Sequence, residues 1–145
     1  YPEATTAYQK TLAIRKEVLG QLHPEYASSL NALASLYKKT NNLEKAEPLY
    51  KEALEIRLNF LGEENPEYAI SLDNLANFYQ TTQQYTKAEP LLKQAMALKK
   101  KIYGANHPIY AGSLNNMAVL YEKTNQPTQA ENLYKESLNI LKTTL

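Results

Sequence analysis

The sequence predicts an all-α solenoid, a right-handed superhelix of antiparallel helix pairs with seven helices. Three observations predict it. Gly20, Gly62 and Gly104 stand 42 residues apart, and the same offset relates Pro24, Pro66 and Pro108; Tyr26, Tyr68 and Tyr110; Leu30, Leu72 and Leu114; and Tyr37, Tyr79 and Tyr121. A fixed period of this length, kept without insertion or deletion, marks a repeat architecture. Within each unit the apolar residues fall at helical spacing. The helices of a unit are joined by short polar breaks, which makes them antiparallel neighbours.

The elements follow in order. Ala4 to Leu19 matches the second helix of a unit whose first helix is absent, because Ala4 lies one period before Ala46, Ala88 and Ala130. After His23 the residues Ala27, Leu30, Leu33, Ala34 and Tyr37 trace one face of a helix. Pro24 suits its first turn, where a missing N–H costs nothing, and His23 serves as N-cap. Thr40-Asn41-Asn42 breaks the pattern, and a second helix carries Leu43, Ala46, Leu49, Tyr50, Ala53, Leu54 and Ile56. It closes near Leu61-Gly62, where glycine can adopt the left-handed conformation of a helix end. The pattern repeats, giving helices at about 3–18, 24–39, 43–60, 66–81, 85–102, 108–123 and 127–143. Arg15-Lys16, Arg57 and Lys99-Lys100-Lys101 are expected near C-terminal helix ends, where cations oppose the helix dipole. Pro48 and Pro90 lie several residues inside their helices and should bend them by removing one hydrogen bond each. The whole chain reads as a single array: 1–20 a truncated unit, then 21–62, 63–104 and 105–145. Leu145 takes the place of Leu19, Leu61 and Tyr103, and neither end has an atypical polar capping unit. A piece of a longer protein is therefore expected.

Composition excludes several function classes. The net charge is +1, from 16 basic and 15 acidic residues, whereas nucleic-acid and membrane-surface binders concentrate Lys and Arg. No apolar run approaches the roughly 20 residues of a membrane span, and Tyr1 to Lys10 lacks the pattern of a secretion signal. A cytoplasmic location is the resulting expectation. The absence of cysteine removes disulfides, thiolate metal sites and cysteine nucleophiles.

The repeating residues resemble the tetratricopeptide repeat, in the long form found in kinesin light chains. Leu30, Leu33, Ala34, Tyr37, Ala46 and Tyr50 follow that family's pattern of a large residue, small residues and an aromatic at set spacing. Leu72, Leu75, Ala76, Tyr79, Ala88 and Leu92 repeat it, as do Leu114, Met117, Ala118, Tyr121, Ala130 and Leu133-Tyr134. His23-Pro24-Glu25-Tyr26-Ala27 and Ala46-Glu47-Pro48-Leu49-Tyr50 are similar to kinesin-light-chain phrases. Leucine replaces the family's tryptophan and alanine its close-packing glycine, which should set the paired helices slightly further apart.

Candidate chemistry is sparse. His23 and His107 occupy one register, with Asn65 between them, and an N-cap before proline explains all three better than a metal pair does. The lysine run 99–101 reads as a solvated helix end, Glu63-Glu64 as loop charge, and Tyr37, Tyr79 and Tyr121 as core residues whose hydroxyls reach the edge. No phosphate loop, metal cluster or nucleophile with a base is evident. No enzyme activity and no cofactor are expected.

What the resemblance implies is a groove on the first helices. The family's ligand-contacting positions correspond here to Ser28, Asn31, Ala32, Ser35, Lys38 and Lys39, then Ile70, Asp73, Asn74, Asn77, Gln80 and Thr81. The third set is Gly112, Asn115, Asn116, Val119, Glu122 and Lys123. Asparagine dominates, and an amide both donates and accepts, as the backbone of an extended peptide requires. The basic clamp of chaperone-binding members is not matched, since only Asn74 fits it. The expected function is binding of a protein or peptide, with no nucleic acid, membrane or small-molecule substrate. The alternative is a structural spacer or self-association segment of a large scaffold, with these residues forming a plain solvated face.

Overall fold

The computed structural model describes residues 1–144, and Leu145 lies outside them, as does its register match with Leu19, Leu61 and Tyr103. Seven helices make up the described chain: α1 (Pro2–Leu19), α2 (Pro24–Lys39), α3 (Leu43–Leu61), α4 (Pro66–Thr81), α5 (Tyr85–Tyr103), α6 (Pro108–Lys123) and α7 (Pro127–Thr144). No strand occurs among the described residues. Every boundary lies within one residue of expectation. Two compact units result, Tyr1–Phe78 and Tyr79–Leu145.

The caps explain the boundaries. The backbone N–H of Glu25 donates to His23 Nδ1 at 3.2 Å, and that of Ile109 to His107 Nδ1 at 3.1 Å. Asn65 Oδ1 accepts from Glu67 N–H at 2.8 Å in the same register. Each satisfies one of the donors that a helix start leaves open. The tight turn inside each unit is a Schellman closure. Asn42 N–H reaches Tyr37 O at 2.7 Å and Asn41 N–H reaches Lys38 O at 3.1 Å, with Gln83-Gln84 and Asn125-Gln126 repeating the arrangement. It requires left-handed residues, and Asn41, Gln83 and Asn125 all have φ of 61°. The glycines behave differently from expectation. Gly62 has φ 90° but ψ 169°, an extended region that essentially only glycine occupies, not a left-handed helical turn.

In the first unit, Tyr26, Ala27 and Leu30 of α2 pack on Ala53 and Ile56 of α3, with Leu12 of α1 and Leu49 against them. In the second, Tyr110, Ala111 and Leu114 of α6 pack on Ile140 of α7, flanked by Met96, Leu133 and Leu141. Burial of each large aliphatic side chain contributes about 1.5–3 kcal/mol. The buried stripe of the first helices is wider than the periodicity suggested. Leu36, Phe78 and Leu120, at one register, are all buried, as are Ser29, Ser71 and Ser113. The reason is that α2 and α6 each touch two neighbouring helices, so more than one face of each is covered.

Arg57 corrects a further expectation. It does not serve the end of α3 but is buried, 6% exposed. Its Nη1 donates to Glu67 O at 3.1 Å and Ser71 Oγ at 3.0 Å, both on α4, and its Nη2 donates to Ser28 Oγ of α2 at 3.0 Å. A buried charge is tolerated only when hydrogen-bonded in this way. Burial lowers the Arg57 pKa, and the Glu67 carboxylate, 3.9 Å from Nε, opposes that.

Candidate interaction surface

The first unit brings α2 and α4 together, and with them the residues that the family pattern marked. Asn31, on α2, is 9% exposed. Its Nδ2 donates to Ser71 Oγ on α4 at 3.4 Å, while its Oδ1 is buried and has no hydrogen-bond partner. Seven residues along α2, Lys38 Nζ donates to Asn77 Oδ1 on α4 at 2.6 Å. Burial lowers the Lys38 pKa, and the neighbouring Lys39 lowers it further. Between these bridges lie Ser35, Asp73 and Asn74, all half-buried. Burial raises the Tyr50 phenol, and a hydrogen bond with Ser35 partly offsets this. Ile70, 48% exposed, is an apolar side chain left at the surface of α4.

The amides are thus not a free ladder. Asn31 and Asn77 each spend one polar atom on tying α2 to α4, an arrangement that position counting on a single helix could not reveal. What remains for a ligand is the half-buried side chain of Asn74 and the exposed one of Ile70.

In the second unit, Gln80 is half-buried with Nε2 lacking a hydrogen-bond partner. On α6, Gly112, Asn116 and Val119 are exposed and Asn115 is half-buried. Gly112 has an ordinary helical backbone, and a Cβ built on it meets nothing within 4 Å. Neither local conformation nor packing requires a glycine there. Gly112 and Val119 are seven apart and Asn116 lies between them, so the three share one helical stripe.

Sequence reasoning missed one polar arrangement and one surface hollow. The first is the arginine–serine network; its signal was the recurrence of Arg15 with Arg57 and of Ser29 with Ser71 and Ser113 at the repeat offset. The second is an open hollow between the end of α6 and α7, where Pro127, Ala130, Tyr134 and Leu138 are joined by the charged Glu122, Glu131 and Lys135. Among the described residues no group of three or more His, Cys, Asp or Glu could hold a metal ion, and no helix is long and apolar enough to cross a membrane.

Comparison with known proteins gives the fold a family. A model described as tetratricopeptide repeat matches residues 1–59 and 67–143. No curated protein matches the chain. Among solved structures, the crystal structure of BtubC (BKLC) from P. vanneervenii superposes with a TM-score of 0.90 at 22% identity, covering 99% of this chain and 57% of that one. The nearly identical TPR-like repeats of a Podosopora anserina kinesin light chain superpose at 0.83 with 27% identity, over 99% of this chain and 68% of that one. A point-substituted form of the same fungal repeats gives 0.85 at 26% identity, with the same coverage of 99% and 68%. The chain spans little more than half of BtubC and about two thirds of the fungal repeats. Seven helices paired at an unbroken repeat, matched by the family model over nearly their whole length, place this chain in the tetratricopeptide repeat family.

Proposed function

We propose that the chain is a protein-interaction module that receives an extended segment of a partner on the exposed faces of its first helices. Tetratricopeptide repeats generally mediate protein–protein interaction and are typically non-catalytic; the surface used is the proposal. The observation that carries it is Ile70, an apolar side chain left 48% exposed on α4 at a position that the family resemblance marks for ligand contact. Asn74 beside it, and Asn115 and Asn116 on α6, offer amides to a peptide backbone. Ser35, Lys38, Ile70, Asp73, Gln80, Gly112 and Val119 vary in charge and size, so they would carry the sequence preference. The balanced net charge of +1 favours a peptide or protein over nucleic acid or an anionic membrane.

A second reading, a spacer or self-association segment without a bound peptide, draws support from the amides of Asn31 and Asn77. The bonds Asn31–Ser71 and Lys38–Asn77 join α2 to α4, as structural residues would. The two readings separate by experiment. Peptides selected from a random library on the wild-type chain should lose affinity for Asn74→Ala and for Gly112→Leu. At Gly112 a Cβ meets nothing within 4 Å, so Gly112→Leu should fold, and circular dichroism checks that it does. Undiminished affinity of every selected peptide for both folded variants excludes these faces as the binding site.

A further inference from the structure

One register position links each second helix to the first helix that follows it, and its occupants differ. Arg15 of α1 donates through Nη1 to Glu25 O at 2.9 Å and Ser29 Oγ at 2.8 Å on α2. Arg57 of α3 makes the same pair of bonds to Glu67 O and Ser71 Oγ on α4, and adds Ser28 of α2. Forty-two residues on, the position is Lys99, and the equivalents of the two acceptors are the carbonyl of Ile109 and the hydroxyl of Ser113. Ser113 Oγ is buried and has no hydrogen-bond partner. A guanidinium nitrogen carries two hydrogens and can bridge a carbonyl and a hydroxyl at once, whereas an ammonium is a compact, strongly hydrated charge on a flexible stem.

We propose that this register is a clamp that sets how firmly each first helix is held, and that with Lys99 in it the start of α6 is held without the serine bond that Arg15 and Arg57 make. The clamp acts where it matters for the helix. Its carbonyl acceptor lies in the first turn and its serine one turn further on, so the guanidinium pins the start of the helix to the preceding element. In the first unit it does more, since Arg57 ties α2, α3 and α4 together through one buried group. At Ser113 the hydroxyl was taken out of water and the partner that should replace water is missing. A buried hydroxyl left without a partner carries an uncompensated desolvation cost, which lowers the free energy of opening that place to water.

The exchange of lysine for arginine leaves net charge unchanged, so the test is clean of long-range electrostatics. Lys99→Arg should add the bond to Ser113 Oγ, slow hydrogen exchange of the α6 amides over residues 111–115 about tenfold, the size of one charge-assisted bond to a buried group, and raise Tm. Arg57→Lys should speed exchange over residues 69–73 by a similar factor. Ser113→Ala in the Lys99→Arg background should abolish the gain. Unchanged α6 exchange in Lys99→Arg overturns the proposal. So does a gain that survives Ser113→Ala, because it would then come from arginine's helix preference and not from the clamp.

Discussion

Replacing Phe78 with alanine removes a large aromatic that α4 buries completely. Its side chain is 1% exposed, and its ring lies 5.7 Å from that of Tyr50 on α3, tilted by 47°. The substitution therefore deletes a packed ring and a tilted aromatic contact, and it leaves a cavity between helices that cannot simply close. Phe→Ala at such sites costs about 3–5 kcal/mol, a large part of the roughly 5–15 kcal/mol that stabilises an ordinary domain. Phe78→Leu should cost about 1.5 kcal/mol or less, since leucine occupies this register at positions 36 and 120 and the core keeps most of its volume. Phe60 is the internal control. It also has an aromatic neighbour, His23 at 5.7 Å, but it is 57% exposed, so Phe60→Ala should cost less than about 1 kcal/mol. Urea unfolding followed by circular dichroism gives the three values, with the slope confirming that the unfolding reaction is unchanged. A loss for Phe78→Ala no larger than that for Phe60→Ala would refute the assignment of Phe78 to the core.

Three further outcomes are expected. Gln83 is the left-handed residue of its turn, with φ 61°, where a residue with a long side chain is strained by about 1–2 kcal/mol; Gln83→Gly or Gln83→Asn should raise the urea midpoint. Burial raises the phenol pKa of Tyr26, Tyr50 and Tyr110. Their contribution is complete below about pH 10, the ordinary phenol value, and is lost as pH rises through the raised folded values. The midpoint measured against pH should fall above that point, and less steeply in Tyr26→Phe. Pro48 and Pro90 each deprive the carbonyl four residues earlier, on Glu44 and Thr86, of its helical partner. Residual dipolar couplings should show α3 and α5 bent more than α7, where Asn132 takes this place; equal curvature in all three would count against that cause.

The helices were legible because their signals are local. A proline after His23, Asn65 or His107, an apolar face at helical spacing, and a polar break before Leu43, Tyr85 or Pro127 act within one turn of chain, and repetition at a fixed offset averages out the noise of any single unit. The family pattern was legible for the same reason. Local rules also produced the errors. Arg57 near a helix end resembles every other cation near a helix end, and only the approach of α2 and α4 turned it into a buried bridge.

From the sequence alone came the seven helices, their pairing and the family. Tertiary structure alone decided which polar side chains are free. Asn31 and Asn77 occupy equivalent faces of successive first helices, yet one is buried with an unmade bond and the other is held at the surface by Lys38. Ser71 and Ser113 are identical in sequence register, yet one is clamped and the other is not. Spacing along a helix says which side a residue points to. Whether its hydrogen bond is spent depends on what a neighbouring helix places within about 3 Å of it.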